Sequence, residues 1–465
     1  MKLIHPEVFI LRRSRINMVE GPLLSGIITY TIPIILTGLL QLLFNAADLV
    51  VVGRFRGSIS VAAVSATSSI TNLIVNLFIG LSVGAGVSVA HGLGGKHDDE
   101  VHRTVHTAIP TALVGGAVLT LIGVIFAEKL LILMKTPADV LPLSTIYMRI
   151  YFGGIIFSLL YNFSASILRA SGDTKSPLLF LSIAGVINVL LNLLFVVIMG
   201  MNVEGVALAT TISQAVSAFL VLGALMRRKD ACKLSLKSLK FHKAQLFKMI
   251  RIGLPAGIQS SLFSISNVLI QSSINSFDNS VLMSGNGAAA NIEGFVYITM
   301  NSLHQTAVNY VGQNIGAHKF ERVRKIFLHC LVCVFVVGAT ICGLVLLFGE
   351  QLLGIYITDS PAAIQHGLTR FSYVCSTYVL CGLMDVSTGA LRGLGSSFVP
   401  MVISVLGVCG IRVVWIYTFF TLPQFHTPEG LYITYPISWM LTFITQTAAF
   451  LFLYKKRKKI DTLLA

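Results

Sequence analysis

Charge is what this chain has least of. Asp, Glu, Lys and Arg supply 11% of its 465 residues, against about 25% in soluble domains, which excludes an ordinary water-soluble globule. Acidic residues are the scarcer sign, 19 against 34 basic. Catalytic signatures are missing too: no nucleophile–base motif and no metal triad appears, so an enzyme is not expected. GLGGKH at Gly92–His97 resembles a phosphate loop but lacks the leading glycine spacing and the Ser or Thr after Lys96. Without a soluble nucleotide-binding domain, ATP is not the expected energy source. Cysteines stand at 232, 330, 333, 342, 375, 381 and 409, six of them inside expected helices, so no disulfide framework is expected. Cys330 and Cys333 in CLVC have redox spacing but no second pair, and read as packing. His97, His102 and His106 lie among alternating acids and bases and read as a solvated face rather than a metal site. The opening MKLIHPEVFILRRSR has no long apolar core of a signal peptide.

What is present is apolar length. Windows of ~20 residues, enough to cross the hydrocarbon core of a bilayer, recur twelve times. They cover 27–52, 61–90, 106–126, 141–168, 177–200, 203–225, 252–277, 285–311, 326–348, 370–391, 400–420 and 431–454. The expected fold is an all-α integral membrane protein with twelve transmembrane helices. With an even count, both termini and the even-numbered loops share one side. All but seven of the 34 Lys and Arg fall there, including Lys2, Arg12, Arg13, Arg15, the stretch 227–251, HKFERVRK (318–325) and KKRKK (455–459). The seven are Arg54, Arg56, Lys129, Lys135 and Arg370 opposite, and Arg149 and Arg412 within spans. This bias places both termini in the cytoplasm. It assigns the net charge of +15 to topology and anionic headgroups rather than to nucleic acid.

The chain also repeats itself. IPIILTGLLQLLFN (32–45) aligns with LPAGIQSSLFSISN (254–267), pairing Pro33 with Pro255 and Asn45 with Asn267. GGKHDDEVHR (94–103) aligns with IGAHKFERVR (315–324). ILRASGDTKSP (167–177) aligns with ALRGLGSSFVP (390–400), pairing Arg169 with Arg392 and Gly172 with Gly395. VEGVALATTIS (203–213) meets PEGLYITYPIS (428–438). The separations stay near 222, so the expected organisation is an N-terminal lobe (1–226), a cytoplasmic linker (227–251) and a C-terminal lobe (252–465). Six helices per lobe give both the same orientation. Parallel repeats about an axis along the membrane normal put a cavity between the halves, as in secondary transporters.

These motifs also carry a family resemblance. FNAADLVVVG in the first helix, the Gly-rich loop after the second, INVLLNLLF in the fifth and VEGVALATTISQ in the sixth resemble the MATE (multidrug and toxic compound extrusion) transporters. ALRGLGSSFVP and VGQNIGAHKFERVRK in the second half do the same. The resemblance runs along nearly the whole chain. It implies a V-shaped cavity between two lobes, two pseudo-symmetric six-helix bundles in the cell membrane, and extrusion of small organic cations driven by Na⁺ or H⁺. No other cofactor is implied, and a monomer is expected.

Few ionisable groups fall at membrane depth, and such groups are functional candidates by default. They are Asp48, Glu293, Asp385 and Arg412, with Arg149 and Glu204 nearer the ends. Asp48, alone in the first span, matches the family's first-helix aspartate, which implies a coupling-ion role. Asn188 and Asn192, four apart, share one helix face, and Thr210 or Thr211 adds a hydroxyl. In some branches of the family an aspartate stands where this chain has Asn192. That change removes a titratable group, leaving a carbonyl that could still ligate Na⁺. Glu293 and Asp385, with Gln41 and Asn45, are expected in the substrate cavity. Glu293 has no evident basic partner, whereas Arg412 could neutralise Asp385. Phe44, Tyr161, Phe263, Tyr297, Met300 and Met384 could offer faces to a flat cation. Two other readings stay open. A flippase for lipid-linked oligosaccharides or related lipids would put Arg and Lys in the cavity. A membrane-embedded transferase would need acids or His at a membrane face, for which HDDE (97–100) is the sole cluster.

Overall fold

A computed structural model describes residues 16–358 and 360–464; Lys2, Arg12, Arg13 and Arg15 lie outside them. Twelve long helical segments follow one another. They are α1 (Leu23–Arg56), α2 (Ser58–Gly94), α3 (Asp98–Leu133), a bent α4 (Leu141–Gly153 and Ile155–Ala170), α5 (Lys175–Ile198) and α6 (Val203–Met226). The second six are α7 (Lys243–Asn275), α8 (Ser280–Gly316), α9 (Phe320–Leu347), α10 (Pro361–Gly393), α11 (Phe398–Thr421) and α12 (Pro428–Leu463). Among the described residues nine of these are long and apolar enough to cross a membrane, and the α4 pair, bent by 45°, makes ten. The other two, α7 and α8, have the length, 33 and 37 residues, but are too polar for that criterion. Their polarity is spent inward: Asn286, Ser302, His304, Thr306, Asn309, Gln313 and Asn314 of α8 are all buried. Leu121, Leu190, Val332 and Phe335 on outer faces are each more than half exposed, the surface of a protein whose solvent there is lipid.

The repeat is visible in the backbone. Lys96 and His318, one position out of the sequence alignment of that turn, both adopt left-handed φ, 56° and 58°, and Gly172 and Gly395 take 87° and 82°. Pro33 and Pro255 occupy interior turns of α1 and α7. Each lobe has its own core, and that of α7–α12 recruits Met18, Ile27, Tyr30 and Ile34 from the start of the chain. Cys330 and Cys333 are buried in it, and no disulfide forms among the described residues.

The lobes meet at the end of the bundle that holds both described chain ends. There α2 lies against α7 at contact distance: a Cβ on Gly80 would sit 2.2 Å from the Gly257 nitrogen, and one on Gly84 2.2 Å from the Met249 oxygen. Small residues at four-residue spacing on both helices, Gly80/Gly84 and Gly253/Gly257, allow this approach. Thr31 and Thr306 hydroxyls pair at 2.8 Å, and Tyr30 meets Tyr310 edge-on at 5.5 Å. Gln313 donates to the Ala170 oxygen at 2.6 Å, and His91 Nε2 donates to the Gly393 oxygen at 2.7 Å. Gly257→Val is therefore expected to lower the melting temperature of the purified protein sharply, because backbone must move. Gly343→Ala, with nothing within 4 Å of its added Cβ, should leave it unchanged.

The linker is strapped to α3. His106 Nδ1 donates to the His102 oxygen at 2.7 Å, and its Nε2 accepts from the Ser235 amide at 3.0 Å. His106 is therefore buried, which corrects the reading of that histidine as part of a solvated face. Its ring ties the linker down because both nitrogens have backbone partners. Among the described residues no His, Cys, Asp and Glu group has the makings of a metal site.

Candidate functional site: the cavity between the lobes

Closed at the terminus-bearing end, the lobes enclose a cavity of about 770 Å³ whose walls come mainly from α1, α2, α4, α5, α6, α7 and α8. Amides and hydroxyls dominate the lining. Gln41 and Asn45 stand on α1, facing Asn301, Gln305 and Asn309 of α8. Among the described residues three charged side chains reach it: Asp48, Arg169 and Arg392.

Asp48 sits where three helices of one lobe converge. Asn192 of α5 donates Nδ2 to its Oδ1 at 2.5 Å, and Thr210 of α6 donates its hydroxyl to Oδ2 at 3.0 Å. Asn188, one turn before Asn192, accepts from Asn192 Nδ2 at 3.3 Å and donates to Thr210 at 3.5 Å. The four expected coupling-ion residues are thus one hydrogen-bonded cluster. Asp48, Asn188 and Thr210 line the cavity, while Asn192 is fully buried behind them with its carbonyl oxygen unpartnered. A carboxylate plus amide and hydroxyl oxygens is a hard donor set suited to a small cation. Thr211 instead donates to the Ile150 oxygen at 3.5 Å.

The acids of the second lobe are placed differently from expectation. Glu293 has a basic partner: Arg370 donates Nε to Oε1 at 2.9 Å and Nη2 to Oε2 at 2.7 Å, both side chains being buried. Arg370 also donates Nη1 to Asn286 at 2.7 Å, and its guanidinium lies over Tyr432 and Tyr435. The expectation of an unpaired Glu293 is corrected because α10 begins at Pro361, nine residues earlier than its apolar window, and carries Arg370 inside the lobe. Arg412 does not neutralise Asp385; it donates to Asn267 at 3.3 Å and stacks on Tyr435 at 4.2 Å. Glu293 and Asp385 are absent from the cavity wall. Asp385 is buried behind His304, whose Nδ1 donates to the Asp385 backbone oxygen at 2.7 Å. That bond leaves His304 Nε2 to accept from Arg392 Nη1 at 3.3 Å. Of the expected cation-facing rings, Phe44 and Tyr297 line the cavity. Met300 and Met384 are buried in the second lobe's core, Phe263 packs against that core, and the Tyr161 hydroxyl donates to the Pro177 oxygen at 3.2 Å. Arg149 pairs with Glu128 at a half-exposed surface site, and Glu204 accepts from the Asn202 amide at 3.0 Å.

Sequence reasoning missed the floor of the cavity. Arg392 donates Nη2 to Gln259 at 2.8 Å, and Arg169 donates Nη1 to Gln305 at 2.9 Å. Because His304 and Gln305 are consecutive on α8, the two guanidiniums stand at one level. The signal was available, since Arg169 and Arg392 are partners in the repeat.

The MatE family model matches the chain twice, over residues 33–194 and 255–418. The two matches begin 222 residues apart, as the motifs do. Among curated proteins the chain is 28% identical to "Probable multidrug resistance protein YoeA" of Bacillus subtilis (strain 168), covering 92% of this chain and 94% of the relative. It is 22% identical to an "FAD transporter" of Shewanella oneidensis over 75% of this chain and 77% of that protein. Among solved structures, a MATE protein in complex with MaL6 superposes with a TM-score of 0.89 at 20% identity, covering 96% of this chain and 99% of that one. An outward-facing multidrug resistance MATE transporter gives 0.87 at 19%, with the same coverage. The twice-matched family model, with the shared fold behind it, makes this chain a member of the MatE family.

Proposed function

We propose that the protein is a secondary active antiporter of the cell membrane. It exports small organic cations from the cytoplasm in exchange for Na⁺ or H⁺, acting as a monomer with both termini cytoplasmic. One observation carries the reading: Asp48, among the described residues the sole carboxylate on the cavity wall, is held by Asn192 and Thr210. In that orientation the closed end faces the cytoplasm and the cavity opens outward, the state in which an exporter releases substrate and takes up its ion. Coupling then requires that ion and substrate differ in affinity for the outward and inward states. The names of the curated relatives, multidrug resistance and export proteins, support the same reading.

The test is uptake of a fluorescent organic cation by proteoliposomes under an imposed Na⁺ gradient, and separately under a pH gradient. Accumulation driven by one of them is expected. A cation that moves under neither gradient would sink the proposal. A second reading, carriage of an anionic amphiphile as in a lipid flippase, is favoured by Arg169 and Arg392 on the floor. It predicts transport lost on Arg392→Gln with no organic-cation flux at all.

A further inference from the structure

A second cleft of about 350 Å³ lies at the terminus-bearing end, between the α10–α11 turn, α7 and the end of α12. Its polar wall is Arg251, Ser396, Ser397, Lys456 and Arg457, and no acidic residue contributes among the described ones. Arg251, Lys456 and Arg457 line the one cleft together, and none of the three cations is ion-paired among the described residues. All three are solvent-exposed, so an anion entering the cleft meets three positive charges that no side chain neutralises. Ser397 is 2% exposed, and its hydroxyl has no partner. Gly395, at φ 82°, lets the turn pass beside Arg457; a Cβ there would stand 3.4 Å from Nη2.

The repeat supplies an internal control. In the first lobe the equivalent turn carries Asp173, whose carboxylate accepts from the Ser176 amide at 3.0 Å and hydroxyl at 2.7 Å at the start of α5. In the second lobe Ser396 stands in its place, at the start of the 24-residue α11. One copy brings its own negative charge to the helix start. The other brings none and surrounds the position with three cations. An external anion would complete the second copy as Asp173 completes the first.

The rim says which anion. Leu453 is half-buried there, while Phe398 and Ile460 are 63% and 47% exposed. The cleft sits where spans end and basic residues gather, the level of headgroups in the leaflet on that side. We propose that this cleft is a binding site for the phosphate of an anionic phospholipid, whose acyl chains run along the α11–α12 face beneath Phe398 and Leu453. The site is separate from the cavity between the lobes and does not depend on what that cavity carries.

The test uses the purified full chain in detergent, titrated with dioleoylphosphatidylglycerol or dioleoylphosphatidylcholine. Bound lipid is counted by native mass spectrometry and the melting temperature is read in parallel. Phosphatidylglycerol is expected to bind preferentially and raise the melting temperature. Arg457→Gln and Lys456→Gln should each weaken it about fivefold. Lys459→Gln, a neighbour outside the cleft, should not. Ser396→Asp reproduces the first lobe's turn, so it should fold and lose the preference for phosphatidylglycerol. Equal losses in Lys459→Gln would mean diffuse attraction and overturn the site. Sodium phosphate alone reproducing the stabilisation would overturn the lipid as its occupant. Retention of the preference in Ser396→Asp would overturn the placement of the phosphate.

Discussion

Asp48→Asn is expected to abolish ion-driven transport in proteoliposomes while leaving the protein folded and able to bind substrate. The substitution keeps the side chain's size and one carbonyl acceptor, so the contact with Thr210 or Asn192 can survive. It removes the negative charge for which a cation would enter this cluster. A coupling free energy of about 1–3 kcal/mol, a factor of 5–150 in affinity, would be lost. Substrate affinity, measured by quenching of a fluorescent cation, should then cease to respond to Na⁺ or to pH, whichever drives the wild type. Undiminished gradient-driven flux in the variant would reduce Asp48 to a helix-joining acid. Asn192→Ala is the milder companion. It keeps the charge but removes both the 2.5 Å bond and the unpartnered carbonyl, so it should weaken ion dependence without eliminating it.

Arg370→Met is expected to be the most destabilising single change in the second lobe. It leaves Glu293 buried with neither of its two guanidinium bonds, and Asn286 without one of its partners. Removing one member of a buried ion pair costs about 3–5 kcal/mol, because the remaining charge has no solvent to relax into. The methyl-thioether fills much of the volume, so the loss is electrostatic rather than steric. Pairing it with Glu293→Gln should recover much of the melting temperature, since both charges leave together. A double variant no better than the single would mean that Arg370 acts through its stacking on Tyr432 and Tyr435 instead. Because Glu293 already has its cation, Glu293→Gln alone should cost stability more than it alters cation transport.

The contrast between these two acids separates what was legible in the sequence from what was not. Asp48 could be read because it is the one charge in its apolar window, 27–52, and its partners carry a local mark: Asn188 and Asn192, one helical turn apart, must share a face. The twelve spans were equally plain, since a lipid solvent demands about 20 apolar residues for each crossing. Even α7 and α8, too polar to pass on composition alone, were identified through apolar stretches between their buried amides. Duplication left its trace in prolines and turn residues that recur after about 222 positions.

What composition and spacing do not encode is the rotation of one helix against another. Arg370 and Glu293 are 77 residues apart, on helices whose facing sides are set by packing. Hydropathy ends the tenth span at Arg370 because a charge stops the window, yet the helix continues through it once a partner is present. The same holds for the cavity floor, where Arg169 and Arg392 read as cytoplasmic turn residues until the lobes close and α8 passes between them. By itself the sequence determined the number of crossings, the twofold plan and the Asp48 cluster, because lipid, duplication and helical pitch act along the chain. Only the tertiary structure decided which buried charges are neutralised and which face the cavity. That outcome depends on distances of 3 Å between side chains far apart in sequence, and only the packed lobes define them.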